Sequence, residues 1–209
     1  MESLSMRSVR ERPLSNKKDG EEYNTYYKSG EVKSSGFYIN ELKHGEHLEW
    51  YANGQLHTRS HYVQGKRNGT CESWYDNGQL YADEYYIDGE HEGEHFYWHE
   101  NGIISSHMVY VNGKLQGDSV DYHEDGKIKF RAFFDNGLLS GKVEEWYSNG
   151  IKEQEADYAQ GTLNGMHYVW HDNGNKSMIV SYSKGVKNGI YYVWYRHGQQ
   201  FIKSYYADG

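Results

Sequence analysis

Cysteine, proline and long apolar runs are nearly absent from this chain of 209 residues. Cys71 is the only cysteine, which excludes an intramolecular disulfide and a zinc site built from cysteines. No apolar run approaches the roughly 20 residues that span a bilayer, and the N-terminus lacks the apolar core of a signal peptide. We therefore expect an intracellular, cytoplasmic protein.

Aliphatic side chains are also scarce. Leu, Ile, Val and Phe account for only 36 residues. This low aliphatic content, together with a net charge of -8, is typical of a disordered chain. The 22 Tyr and 6 Trp residues replace the missing apolar area, which predicts a folded protein. Its acidic balance disfavours nucleic acid and membranes as the main partners, because both are bound through clustered Lys and Arg.

Glycine is abundant instead, and it recurs every 24 residues, which indicates an array of repeats. The first column of glycines lies at positions 30, 54, 78, 102, 126, 150, 174 and 198, the second at 65, 89, 113, 137, 161, 185 and 209, and the third at 45, 69, 93, 117, 141, 165 and 189. Most first-column glycines follow Asn or Asp, which predicts type I′ hairpin turns there. The second and third columns predict a longer connection.

The segments between these turns, such as 70–75 and 80–87, alternate with a period of two and are rich in aromatic and β-branched residues, as in strands. The fold class predicted is all-β: an elongated, single-layer antiparallel β-meander, or open solenoid, of about eight 24-residue hairpin repeats over residues 21–209. The Trp column and a Tyr column are both expected on one aromatic face, together with Leu56 and Leu80.

Residues 1–20 differ from the rest of the chain. They contain the only proline, Pro13, and five basic residues against three acidic ones, so their net charge is +2 while the rest of the chain carries -10. This composition predicts a flexible basic N-terminal leader.

The pattern [W/Y]-Y-x-N-G, as in Trp74 to Gly78, is followed by a Tyr such as Tyr86 and by glycines such as Gly89 and Gly93. It resembles the MORN repeat, in the 24-residue variant found in bacterial proteins, including antitoxin-like arrays, and in giant DNA viruses. The resemblance covers about residues 22–209. It implies a groove-shaped antiparallel sheet used for protein binding, self-association or lipid contact.

No enzymatic site is predicted. The stretch His91 to His95 matches H-E-x-x-H, but that zinc motif needs a helix and Gly93 belongs to a turn column. His95 and His99 are four residues apart on one strand, too far for a shared metal ion. We therefore expect no catalytic residue, no metal and no cofactor.

The preferred interpretation is a non-enzymatic scaffold or adaptor for protein–protein interaction, because Tyr and Trp dominate protein-binding surfaces. The candidate binding residues belong to three positions of the repeat. They are Trp50, Trp74, Trp98, Trp146, Trp170 and Trp194; Tyr62, Tyr86 and Tyr110; and Tyr75, His99, His123, Tyr147 and His171.

Three alternatives remain open. The first is an antitoxin or immunity protein that neutralises a toxin partner, which the resemblance permits. The second is a membrane- or lipid-associated module, which the charge disfavours. The third is a homo-oligomer formed through an exposed C-terminal edge strand with Phe201, Ile202, Tyr205 and Tyr206.

Overall fold

The computed structural model describes residue 20, residues 22–207 and residue 209. Apart from Gly20, the predicted leader lies outside these residues. Every regular element in the described ranges is a strand, and none of their residues is helical. The chain divides into two compact units, Met1–Glu92 and Gly93–Gly209, which are called the first and the second unit below.

The strands are mostly five to nine residues long. Those of the first unit are β1 (Glu22–Tyr26), β2 (Val32–Ile39), β3 (Leu42–Trp50), β4 (Leu56–Val63), β5 (Lys66–Trp74), β6 (Leu80–Ile87) and β7 (Glu90–His91). Those of the second unit are β8 (Gly93–Trp98), β9 (Ile104–Val111), β10 (Lys114–Leu115), β11 (Gly117–Tyr122), β12 (Ile128–Asp135), β13 (Leu138–Leu139), β14 (Gly141–Trp146), β15 (Lys152–Ala159), β16 (Thr162–Trp170), β17 (Lys176–Ser183), β18 (Val186–Trp194) and β19 (Gln200–Tyr206).

Each unit is an open antiparallel sheet in which the strands follow chain order. In the first unit β5 pairs with β4 and β6, and in the second unit β16 pairs with β15 and β17. The predicted all-β class and the antiparallel meander are confirmed. The predicted strand 80–87 coincides with β6, whereas 70–75 covers only the second half of β5 and one residue beyond it.

The type I′ turns lie at the second glycine column, not at the first as predicted. Gln64 and Gly65 both have positive φ, 49° and 79°, and join Val63 and Lys66 as a two-residue hairpin. At the first column only the glycine is left-handed: Gly54 has φ 85°, and its N–H donates to the carbonyl of Tyr51 at 3.0 Å. This geometry is that of a three-residue hairpin loop closed by a left-handed glycine.

The predicted longer connection between the second and third glycine columns is also wrong. Gly69 of the third column lies inside β5, with φ 103°, where the pairing with β4 shifts register between Ser60 and Tyr62. The third column therefore marks an irregularity within a strand. Glycine is required there because the backbone adopts a left-handed conformation.

The Trp and Tyr columns lie on opposite faces of the sheet, contrary to the prediction of one aromatic face. Ser73 pairs with Ala82 while Trp74 pairs with Leu80, so Tyr81 is an extra residue that forms a β-bulge. The bulge reverses the alternation, and Leu80 therefore lies beside Trp74 instead of Tyr86. We call the two sides the Trp face and the Tyr face.

The core lies on the Tyr face. With the exception of Ile179, every buried side chain of the described residues is on this side by strand register. These side chains are His47, Ser60, Cys71, Ala82, Tyr86, His95, Ser119, Ala132, Val143, Ala156 and Val180. Most of them are small, so the rings of the Tyr column pack close to the sheet.

His47 shows how tightly this core is packed. It is 5% exposed, and its ring lies between those of Tyr38 and Tyr62, with centroids 5.1 and 5.0 Å away. Its Nε2 is 2.8 Å from the carbonyl oxygen of Phe37. Gly36 lies directly beneath the imidazole, and a Cβ at that position would overlap the ring.

Replacing Gly36 with Ala should therefore lower the free energy of unfolding by about 1–3 kcal/mol, because the buried imidazole has no room to move. Chemical denaturation measures the effect. The double variant G36A/H47S serves as the control, since the smaller Ser leaves space for the new methyl group. A cost for G36A that is the same with and without His47 would contradict this account.

Candidate protein-binding surface

A side chain in the first turn of six repeats is hydrogen-bonded to the next repeat. The hydroxyl of Tyr51 donates to the carbonyl of Trp74 at 2.9 Å, and the hydroxyl of Tyr147 donates to that of Trp170 at 2.9 Å. His occupies the same position elsewhere: the Nε2 of His123 is 2.9 Å from the carbonyl oxygen of Trp146. The same contact is made by Tyr27, His99 and His171.

Tyr and His both occur at this position because each can present one donor at a similar reach. Since a carbonyl only accepts, the histidines here must carry the proton on Nε2. Burial raises the pKa of the Tyr51 and Tyr147 hydroxyls, which keeps them protonated and able to donate. His99, His123, Tyr147 and His171 were predicted as binding residues. Their polar atoms are used within the protein.

An Asn before the first-column glycine forms a second link of the same kind in four repeats. The Oδ1 of Asn149 accepts from the backbone N–H of Ile151 at 3.0 Å, and its Nδ2 donates to the carbonyl of Asp172 at 2.8 Å. The carboxylate of Asp125 has no N–H to donate to the next repeat. Instead the Nζ of Lys127 binds Asp125 at 2.6 Å and approaches the carbonyl of Ser148 at 3.4 Å.

We expect Tyr147→Phe to destabilise the protein by about 1 kcal/mol, because the Trp170 carbonyl loses its donor. Tyr147→His should recover most of this loss, since His123 and His171 make the same contact. Urea denaturation of both variants provides the measurement. Equal stability of wild type and Tyr147→Phe would show that the hydrogen bond has no structural role.

The Trp face carries a central row of side chains that changes in character along the chain. In the first unit the row is Ser35, Leu48, Arg59, Glu72 and Asp83. In the second unit it is Phe96, His107, Val120, Arg131, Glu144, Glu155, Tyr168, Ile179, Tyr192 and Lys203. The Trp column lies beside this row.

Where the row is charged, its groups pair with each other over a Trp ring. In the first unit Arg59 is 3.6 Å from Glu46 and 3.2 Å from Glu72, and its guanidinium carbon is 5.8 Å from the centre of the Trp74 ring. These contacts pair the charge of Arg59 with those of the two carboxylates, and they place the guanidinium over one face of the Trp74 indole.

Lys152 makes similar contacts in the second unit, although it lies opposite Trp146 and beside the row. Its Nζ is 2.6 Å from Glu144, 2.7 Å from Glu155 and 5.5 Å from the centre of the Trp146 ring. Burial opposes the charge of Lys152, but its hydrogen bonds with the two carboxylates raise its pKa overall. Burial likewise raises the pKa of Glu155, and its contacts with Lys142 and Lys152 outweigh that effect and lower it.

Beyond Glu155 the row becomes aromatic. The rings of Tyr168 and Trp170 are stacked with centroids 5.9 Å apart, and those of Tyr192 and Trp194 are 6.0 Å apart and nearly perpendicular. Ile179 lies between Tyr168 and Tyr192 in the row. We call these five residues the aromatic surface. It contains no carboxylate, and we regard it as the candidate binding site.

The contrast between Lys152 and Lys176 is testable, because the two lysines occupy equivalent positions 24 residues apart. Lys152→Ala should cost about 1 kcal/mol of stability, since it leaves two half-buried carboxylates without their partner. Lys176→Ala should change stability by less than about 0.5 kcal/mol, because Lys176 makes no ion pair among the described residues. Similar losses for both variants would refute the assignment.

The other predicted binding residues are distributed over the Tyr face and the edge. Tyr62 and Tyr110 are half-buried and Tyr86 is 5% exposed, with burial raising the pKa of its hydroxyl to about 12. Tyr75 packs against Tyr81, with ring centroids 5.1 Å apart.

The residues predicted for the edge strand lie in β19, which pairs with β18. Tyr205 is 74% exposed and Phe201 46%, while Ile202 and Tyr206 are half-buried.

Two depressions of about 390 and 490 Å³ lie beside the first turns of the second unit. Both are lined by His123, Lys129 and Ser148, and the first also by Phe130 and Glu145. The Nε2 of His123 is already bound to the carbonyl of Trp146. No helix forms around Gly93, which has φ 74°, so the H-E-x-x-H stretch lacks the geometry of the metalloprotease motif.

The antiparallel hairpins, the glycine columns and the repeated links define a β-repeat protein. The MORN repeat variant profile matches five consecutive segments, residues 43–64, 67–88, 92–112, 115–136 and 139–160, which together make up just over half of the chain. The chain therefore belongs to the MORN repeat variant family. A comparison with curated proteins gives no match.

Repeats of this family are generally protein- or membrane-interaction modules and are generally not catalytic. Among the described residues, no helix is long and apolar enough to cross a membrane. The aromatic surface lies beyond the last matched segment, which ends at residue 160.

Sequence reasoning missed Tyr168, Ile179 and Tyr192 as site residues because it followed positions where the copies agree. Their signal is a difference between copies: at intervals of 24 residues, Glu144 is replaced by Tyr168 and then by Tyr192, and Glu155 by Ile179.

Proposed function

We propose that this chain is a non-enzymatic scaffold whose second unit binds a partner protein on the aromatic surface. The observation that carries this proposal is the local loss of internal ion pairing. At the preceding repeat the same positions are occupied by Glu144, Lys152 and Glu155, which bind one another.

The composition of the aromatic surface supports a protein partner. Tyr and Trp bury large apolar areas with few rotatable bonds, so they lose little conformational entropy on binding, and they are enriched among residues that dominate interface energies. Exposed aromatic side chains follow in the same part of the chain at Tyr195, Phe201 and Tyr205, which are 48%, 46% and 74% exposed, and Tyr205 lies on the Trp face by strand register. Large exposed apolar side chains are typical of interaction sites on proteins.

The test is an affinity capture with the full-length protein. The double variant Y168S/Y192S should lose the partner, with captured amounts at least about tenfold lower by quantitative mass spectrometry, because two central aromatic contacts are removed. The matched control is Y81S/Y85S, which removes two exposed tyrosines, 43% and 41% exposed, from the first unit. Circular dichroism and thermal unfolding verify that both variants fold.

The binding is then repeated with the purified partner and measured by calorimetry. Retention of every partner by Y168S/Y192S would refute the proposed surface. The identity of the captured protein separates a scaffold from the antitoxin alternative, in which the partner is a toxin that this chain neutralises. Capture of lipid vesicles in place of protein would favour the membrane alternative.

A further inference from the structure

The end of the chain differs in charge from the rest. Residues 162–209 contain five Lys and Arg, two Asp and no Glu, a net charge of +3, although the whole chain carries -8. One of these cations, Arg196, is paired with Asp172 at 2.6 Å. The aromatic surface therefore lies in a segment of the array where positive charge is in excess.

Lys176 is the central residue of this difference. It lies opposite Trp170 as Lys152 lies opposite Trp146. Lys152 is held by the carboxylates of Glu144 and Glu155, whereas the equivalent neighbours of Lys176 are Tyr168 and Ile179. The lysine has been kept while both of its carboxylates have been replaced by apolar groups.

Lys203 is a second cation of the same kind. It lies at the end of the central row, opposite Tyr192, and its Nζ is 5.8 Å from the centre of the Tyr192 ring. Over the part of the chain that the structure describes, neither Lys176 nor Lys203 has a carboxylate within ion-pair distance. Both side chains are exposed. Two cations thus flank an aromatic patch that has no anion of its own.

We infer that the aromatic surface binds an acidic, apolar segment of the partner protein. Its carboxylates pair with Lys176 and Lys203, and thereby take the place that Glu144 and Glu155 have beside Lys152. Its apolar side chains contact the half-buried rings of Tyr168 and Tyr192, which lie on either side of the buried Ile179. This inference rests on the proposed function, and it adds the chemical class of the partner.

A peptide library displayed on phage tests this chemistry without knowledge of the partner. Selection on the full-length wild-type protein at low salt should enrich peptides that combine Asp or Glu with aromatic or aliphatic residues. The K176Q/K203Q variant should bind these peptides roughly fivefold to twentyfold more weakly, because two ion pairs at an exposed site are lost. The affinity of wild type should also fall as salt is raised, since exposed charge pairs are screened.

The control variant K114Q/K129Q removes the same charge from the second unit and should leave the peptide affinity unchanged. Both lysines are exposed and lie outside the aromatic surface. The variant Y168S/Y192S should abolish binding of the selected peptides.

The outcomes distinguish this inference from the proposed function. If peptides are selected that depend on Tyr168 and Tyr192 but contain no acidic residues, the surface binds protein and the inference is overturned. If no peptide depends on these tyrosines, both fail. Tighter binding of vesicles containing phosphatidylserine than of any acidic peptide, or salt-sensitive dimerisation that K176Q/K203Q abolishes, would assign Lys176 and Lys203 to a lipid or to a second copy and overturn the inference.

Discussion

The hydrogen bond from the first-turn Tyr or His to the carbonyl of the next repeat is the interaction on which the rest of the structure depends. A single-layer sheet has no second layer to bury its side chains, so each hairpin must be held by its neighbours. The bonds made by Tyr51 and Tyr147 join residues 23 positions apart, one less than the repeat. An insertion of one residue between them would move the donor away from its acceptor, which explains why the period of 24 does not vary.

Because other parts of the repeat hold the fold together, the side chains of the central row of the Trp face are free to vary. Apart from Ile179, the Tyr face holds the buried side chains, and the turns hold the links between repeats, so a substitution at Glu144, Tyr168 or Tyr192 disturbs neither. In the charged part of the row the side chains bind each other, and such half-buried pairs contribute only about 1 kcal/mol to stability. The row is therefore the part of the repeat in which binding chemistry can change at low cost.

Much of the fold could be predicted from the sequence, because the glycine columns and the period-two alternation are strong local signals. The alternation located β6 within residues 80–87. It could not place Trp74 and Tyr86 on the correct faces, since one extra residue at Tyr81 reverses the pattern without changing the composition. The Asn-Gly pairs predicted type I′ turns at the first glycine column, and this was wrong. Asn149 makes hydrogen bonds with its side chain at that position and does not have a positive φ.

The candidate site was harder to predict for a related physical reason. A repeated motif identifies the positions that every copy needs for folding, and these are occupied by their own structural contacts, as His123 and Tyr147 are. Binding needs side chains whose interactions are not already satisfied within the protein. Lys152 and Lys176 illustrate the difference, because the same lysine is neutralised in one repeat and not in the next. In an array of this kind, a charge that has lost its partner between successive copies is a better indicator of a binding site than the shared motif.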